Sequence, residues 1–253
     1  MDGFFDKYGR VIIVAVVICF VLLFLTPMRN VVGSSINGFA ENFANKVGDS
    51  LGTVKMPDGS GGATNSEKVK VGDTLDIEGT KYIVLEEREN NQALIMTASS
   101  IGKKVFNSIN NPNYKGSTID NYLENEWYDS LSSTMKAAIQ PTNIKQSSYA
   151  INDPDFKQET EDNDISRHVF LPSVSEIGKV VDLKNSDKVK AFLNGTSVWT
   201  RDRLQSGMPQ VEYLSTSGGL NANPVDFSLG VRPTFVIDLS KVDYKVTSHT
   251  DYK

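Results

Sequence analysis

Between Trp199 and Phe227 the chain gathers Trp199, Arg201, Asp202, Arg203, Gln205, Gln210, Glu212, Tyr213, Asn221, Asn223 and Asp226. Planar amides, guanidinium groups and aromatic rings in one segment suit recognition better than bond making. Rings offer apolar area at little entropic cost, and arginine offers forked hydrogen bonds. Arg203, Tyr213, Asn221, Asn223 and Asp226 are the candidate ligand contacts. Trp199, Arg201 and Arg232 have two readings: ligand contacts, or a core ring and two guanidiniums bound to loop carbonyls.

Catalytic patterns are absent from the sequence. His168 and His249 lie far apart, without HxxxH or HExxH spacing, which argues against zinc. His168 precedes Val169-Phe170-Leu171 and reads as a strand-edge residue. Cys19 is the only cysteine and sits in an apolar run, so the remainder holds no thiol for a disulfide, a metal or a nucleophile. Within the domain from Lys68 to Val242 no G-x-S-x-G elbow occurs. The acidic stretch from Asp153 to Asp164 fails the calcium-loop pattern: Lys157 replaces a ligand and no glycine supplies the turn. It reads as a solvated loop. The expectation is a non-catalytic protein without metal or cofactor. A formal net charge of -5 argues against a nucleic-acid partner, which usually meets a basic surface.

These side chains need a scaffold. Thr74 to Ile77 reads as a strand, as does Lys68 to Val71. Lys81 to Glu86 and Gln92 to Thr97 form a hairpin pattern around Glu89-Asn90-Asn91. Ile119, Tyr122, Leu123, Trp127 and Leu131 share one helical face, with Ser117 or Thr118 as cap. A second helix covers Thr134 to Ile139, capped by Ser132 or Ser133 and ended by Pro141. Ser173 to Glu176 is a capping-box pattern, and Asp187 to Leu193 reads as another short helix. Ser197 to Arg201, Gln210 to Ser215 and Thr234 to Leu239 read as strands. Gly218-Gly219 and Asn221 to Pro224 read as turns. Early strands, central helices and late strands predict an α+β domain whose outer strands pair.

Ahead of this domain, Val11 to Leu25 is fifteen apolar residues without a charge. As a helix it covers roughly 22 Å of a hydrocarbon layer about 30 Å thick. Tyr8 and Gly9 on one side and Thr26 to Met28 on the other extend it. An uncleaved anchor is the expected reading, and a removed signal peptide is its competitor. Val32, Ile36, Phe39, Phe43, Val47 and Leu51 make a helical stripe. It suits a self-associating or membrane-lying stalk, or a face resting on the following domain. Residues 52–67, rich in glycine, read as a flexible linker. The expected organisation is a cytoplasmic head (1–10), a transmembrane anchor (11–28), a stalk (29–51), a linker (52–67), an extracellular domain (68–242) and a polar tail (243–253).

The order Tyr82-Ile83-Val84-Leu85, Ala93 to Thr97, Ser117 to Leu123, Phe170-Leu171-Pro172-Ser173, Val198-Trp199-Thr200-Arg201 and Gly230-Val231-Arg232-Pro233-Thr234 resembles an uncharacterised bacterial domain family. That family is common in Firmicutes surface and mobile-element proteins. Its W-L-R-S-P motif is here Trp199-Thr200-Arg201-Asp202-Arg203, and its R-x-W-L-N helix is Asn121-Tyr122-Leu123-Glu124. The family is similar to the C-type-lectin-like fold shared with formylglycine-generating enzymes, whose cysteines this chain lacks. The resemblance implies a lectin-like domain with a ligand face in its C-terminal loops. The expected function is a single-pass surface protein of a Gram-positive cell that binds a glycan, wall polymer or protein. A structural subunit of a pilus-like or conjugation assembly, built through anchor and stalk, is the alternative. An extracellular enzyme using only carboxylates is the third.

Overall fold

The computed structural model describes residues 68–150, 153–159, 165–206 and 208–253. The apolar run from Val11 to Leu25, the stalk and the linker lie outside the described residues. Among the described residues no helix is long and apolar enough to cross a membrane.

The chain enters through three antiparallel strands: β1 (Asp73–Ile77), β2 (Thr80–Glu87) and β3 (Gln92–Thr97). Asn90 and Asn91 turn the β2–β3 hairpin with φ of 57° each, a left-handed conformation that asparagine tolerates and a twisted hairpin needs. After β4 (Lys103–Val105) a loop leads to α1 (Thr118–Asn121), which runs on through a π-helical turn, Tyr122–Trp127. Ser117 caps α1 by accepting the Asp120 N–H, and Ile119 and Leu123 enter the core. Ser132 likewise caps α2 (Ser133–Ala138).

Short strands follow: β5 (Ile139–Gln140), β6 (Thr142–Ile144), β7 (Ser147–Ala150), β8 (Asp153–Glu159) and β9 (Ile165–Arg167). The expected capping box opens α3 (Val174–Ile177), with Ser173 and Glu176 exchanging bonds with each other's backbone. Asn185 caps α4 (Ser186–Leu193). The chain closes with β10 (Val198–Leu204), β11 (Gln210–Ser215), β12 (Gly219–Pro224), β13 (Ser228–Gly230), β14 (Thr234–Asp238) and β15 (Lys245–His249).

Two sheets carry the architecture, which is α+β as expected. One runs β15-β1-β2-β3-β14-β5. The other runs β12-β11-β10-β13-β4, with β7 also beside β10 and β8 beyond it. Strand β10 changes neighbour along its length. Val198 pairs in parallel with Gly230 of β13, whereas Arg203 and Leu204 pair in parallel with Ser148 and Tyr149 of β7.

Four segments differ from expectation. Lys68 to Val71 is not a strand. Its backbone folds into a turn in which Asp73 accepts the Lys70 N–H. Asn221 to Pro224 belongs to β12 rather than a turn. Leu220 is buried while Asn221 and Asn223 point the other way, and Pro224, which has no N–H, sits at the end of an edge strand. In the acidic stretch the backbone of Asp153–Glu159 forms β8 against β7. The polar tail contributes β15, which pairs with β1 from Asp73↔His249 to Asp76↔Lys245. The ends of the domain therefore meet, but through residues beyond the expected boundary at 242. An edge strand needs backbone partners more than apolar side chains, so its polar sequence concealed it.

Candidate functional site

The candidate site is built on β10, β11 and β12. Trp199 pairs with Tyr213, and Tyr213 with Asn221; Arg203 pairs with Val211, and Val211 with Asn223. Directly paired residues share a face, so Arg203, Tyr213, Asn221 and Asn223 lie on one side of this sheet. Trp199 forms the floor. It is fully buried, donates its Nε1–H to the Lys104 carbonyl at 3.0 Å, and meets Phe106 and Tyr213 edge-on at 5.8 and 6.1 Å.

A loop missed by the sequence reading borders this face. Arg203 Nη1 donates to Asn113 Oδ1 at 3.2 Å, and the Asn107 N–H donates to the Val225 carbonyl at 2.9 Å. The same loop carries Ile109, 63% exposed, and the turn after β12 carries Phe227, 51% exposed. Asp226 is exposed in that turn rather than on the sheet face. The structure thus brings four of the five candidate contacts together and sets Asp226 beside them.

The opposite side is polar and closed. The register between β10 and β11 slips between Trp199 and Arg203, so Thr200, Arg201 and Asp202 bulge opposite Glu212. A bulge re-aims side chains, and here both Arg201 and Asp202 are buried. Arg201 grips both carboxyl oxygens of Glu176 at 2.7 Å and donates to the carbonyls of Lys145 and Leu171. Burial pushes the Glu176 carboxyl up, but the Arg201 charge and hydrogen bonds outweigh it, leaving it below its ordinary range. Asp202 accepts the N–H groups of Ser147 and Val174 at 2.9 and 2.7 Å. Burial nevertheless pushes its carboxyl up to about 6.

Glu212 has no such partners. It is fully buried, and neither carboxyl oxygen makes a hydrogen bond. Burial first, and then the charge of Asp202, push it up to about 8. Asp202 and Glu212, both counted in the polar segment from sequence, are therefore interior groups. Alternation along β11 fits this placement, but a glutamate on the apolar phase gives no local sign of burial.

Arg232 is interior as well. Its Nε donates to the Thr97 carbonyl at 2.6 Å and its Nη1 to the Phe192 carbonyl at 3.2 Å. Trp199, Arg201 and Arg232 accordingly contact protein, the arginines through backbone carbonyls and, for Arg201, also through the Glu176 carboxylate, which the sequence reading did not foresee.

The histidines are held by carboxylates. His168 Nδ1 lies 2.8 Å from Glu124 Oε1, with its ring stacked on Tyr128 at 4.6 Å. His249 Nδ1 lies 2.8 Å from Asp73 Oδ1. Nearby, Arg167 forks onto the buried Asp120, both contacts at 2.8 Å, tying α1 to β9. Among the described residues no three His, Cys, Asp or Glu side chains are grouped to hold a metal ion.

The family described as Domain of unknown function (DUF6273) matches residues 90–239, from the turn before β3 to the end of β14. No curated protein and no solved structure matches the chain. The matched segment contains the whole of the β10–β12 platform, the bulge and the Arg232 turn, and leaves β1, β2 and β15 outside it. With more than half of its length so matched, the chain belongs to the DUF6273 family.

Proposed function

We propose that this chain is a surface binding protein whose lectin-like domain recognises a glycan, a wall polymer or a protein through the outer face of β10, β11 and β12. Val11 to Leu25 holds it at the membrane as a single N-inside pass, and the domain faces outward. The observation that carries this reading is the register that sets Arg203, Tyr213, Asn221 and Asn223 on one face. Tyr213 meets the buried Trp199 edge-on on that face, and the loops that border it carry the exposed Phe227 and Ile109. Rigid strands hold the polar groups in place, which lowers the entropy lost on binding. Arg203 is already oriented by Asn113.

The test is a glycan and protein array probed with the full-length chain in detergent, and with Arg203→Ala and Asn223→Ala. Binding that weakens at least tenfold in both variants, while their melting temperatures stay level, supports the assignment. An array ligand bound equally by wild type and both variants overturns it.

A further inference from the structure

Among the described residues the large apolar side chains left exposed are Ile101, Ile109, Met208 and Phe227. Three of these four stand at one end of the β11–β12 ladder, where Gln210 pairs with Pro224. The Gln210 N–H donates to the Met208 carbonyl at 2.8 Å, which turns the incoming loop tightly against that end. The Phe227 N–H donates to the Pro224 carbonyl at 3.1 Å, which turns the outgoing chain in the same way. The Asn107 N–H reaches the Val225 carbonyl, and Ile109 follows two positions on. Met208 is 60% exposed, as open to solvent as its two companions. Apolar side chains gathered on hydrogen-bonded turns at one place, rather than scattered singly, mark a contact surface.

Charge of both signs stands at the same end. Arg203 pairs with Val211, the neighbour of Gln210, and the exposed Asp226 lies between Val225 and Phe227. Arg203 donates to the neutral Asn113, and neither Arg203 nor Asp226 enters an ion pair among the described residues. A bilayer would accept the apolar side chains but leave both charges and the loop backbone without partners. A patch that holds a cation and an anion, each lacking its opposite, is complementary to itself when a two-fold axis relates two copies.

We propose that this end of the β10–β12 sheet is the interface of a homodimer, in which Ile109, Met208 and Phe227 pack across the two-fold axis and Arg203 of each copy pairs with Asp226 of the other. The interface goes beyond the ligand face described above, although Arg203 belongs to both. Sedimentation equilibrium of the full-length chain in density-matched detergent gives a reversible monomer–dimer equilibrium. Phe227→Ser raises its dissociation constant about tenfold at an unchanged melting temperature. Arg203→Asp and Asp226→Arg each raise it about tenfold, because each acts at two symmetric pairs. The double variant, which exchanges the two charges, returns the constant to the wild-type value, a rescue that association through the apolar N-terminal segments cannot give. A chain that is monomeric at every concentration leaves the patch to lipid or to another protein and overturns the interface. A dimer indifferent to these substitutions overturns it as well, as does a double variant no tighter than either single one. The array reads ligand capture rather than mass, and Asn223→Ala, which keeps both interface charges, tests the ligand face alone.

Discussion

Single residues govern this domain where charge is buried. Glu212 is held protonated in the folded protein, whereas the unfolded chain ionises it above its ordinary value of 4.5. The folded state therefore binds the extra proton between those limits. Stability is fully present below about 4.5 and falls as pH rises towards about 8. Asp202 adds the same sign between 3.8 and about 6. The slope is about 1.4 kcal/mol per pH unit for each group in its window. Urea titrations from pH 5 to 8.5 are expected to show declining stability, and Glu212→Gln a much flatter profile between pH 6 and 8. The Arg201–Glu176 pair acts in the opposite sense, because its carboxylate is held ionised. Glu176→Gln leaves Arg201 buried without its counter-charge and is expected to cost about 3–5 kcal/mol in urea unfolding at pH 7.

At the scale of elements, short segments are held by caps and close approaches rather than by length. Helix α3 is four residues long, too short to stand alone. Ser173 Oγ accepts the Glu176 N–H, Glu176 accepts the Ser173 N–H and Asp202 accepts the Val174 N–H; Glu176 also anchors Arg201, so the cap and the bulge of β10 are one device. Ser173→Ala is expected to lose about 1 kcal/mol, read as a lower urea midpoint with an unchanged slope. Gly230 answers a different need. A Cβ there would lie 2.7 Å from Thr196 Cγ2, 2.8 Å from the Ser197 carbonyl oxygen and 2.9 Å from Ser100 Oγ. That crowding falls where β13 pairs with β10. Gly230→Ala is expected to destabilise by about 1–3 kcal/mol, measured the same way.

At the scale of the domain, the two ends of the described chain clasp each other. Strand β15 pairs with β1, and Tyr252 reaches the ring of Phe192. The family match covers residues 90–239, so β1, β15 and Tyr252 lie outside it and only Phe192 of this closure lies within. Ending the chain at Val242 removes that ladder and the ring contact. The expected loss is about 2–4 kcal/mol, at roughly 1 kcal/mol per hydrogen bond or ring pair. In a domain of this size that lowers the melting temperature by about 5–15 °C, readable by thermal circular dichroism. An unchanged melting temperature would show that the closing strand carries no stability.

The sequence by itself determined the α+β class, the β2–β3 hairpin, the cap at Ser173, a pair of candidates for each of the caps that the structure places at Ser117 and Ser132, and strands β10, β11 and β14. Each of these rests on forces acting within a few residues: side-chain alternation, a hydroxyl meeting an N–H three positions on, asparagines that accept a left-handed turn. It also marked the segment that builds the candidate face. Only the tertiary structure separated Arg203, Tyr213, Asn221 and Asn223 from Asp202 and Glu212, which have the same kinds of side chain in the same stretch. It alone gave β15 its partner, brought Asn113 to Arg203, and placed Phe192 and Thr97 around Arg232. The physical reason is common to all of these. Whether a polar side chain faces water or protein depends on the atoms packed against it, and here those atoms come from positions tens to more than a hundred residues away in the chain.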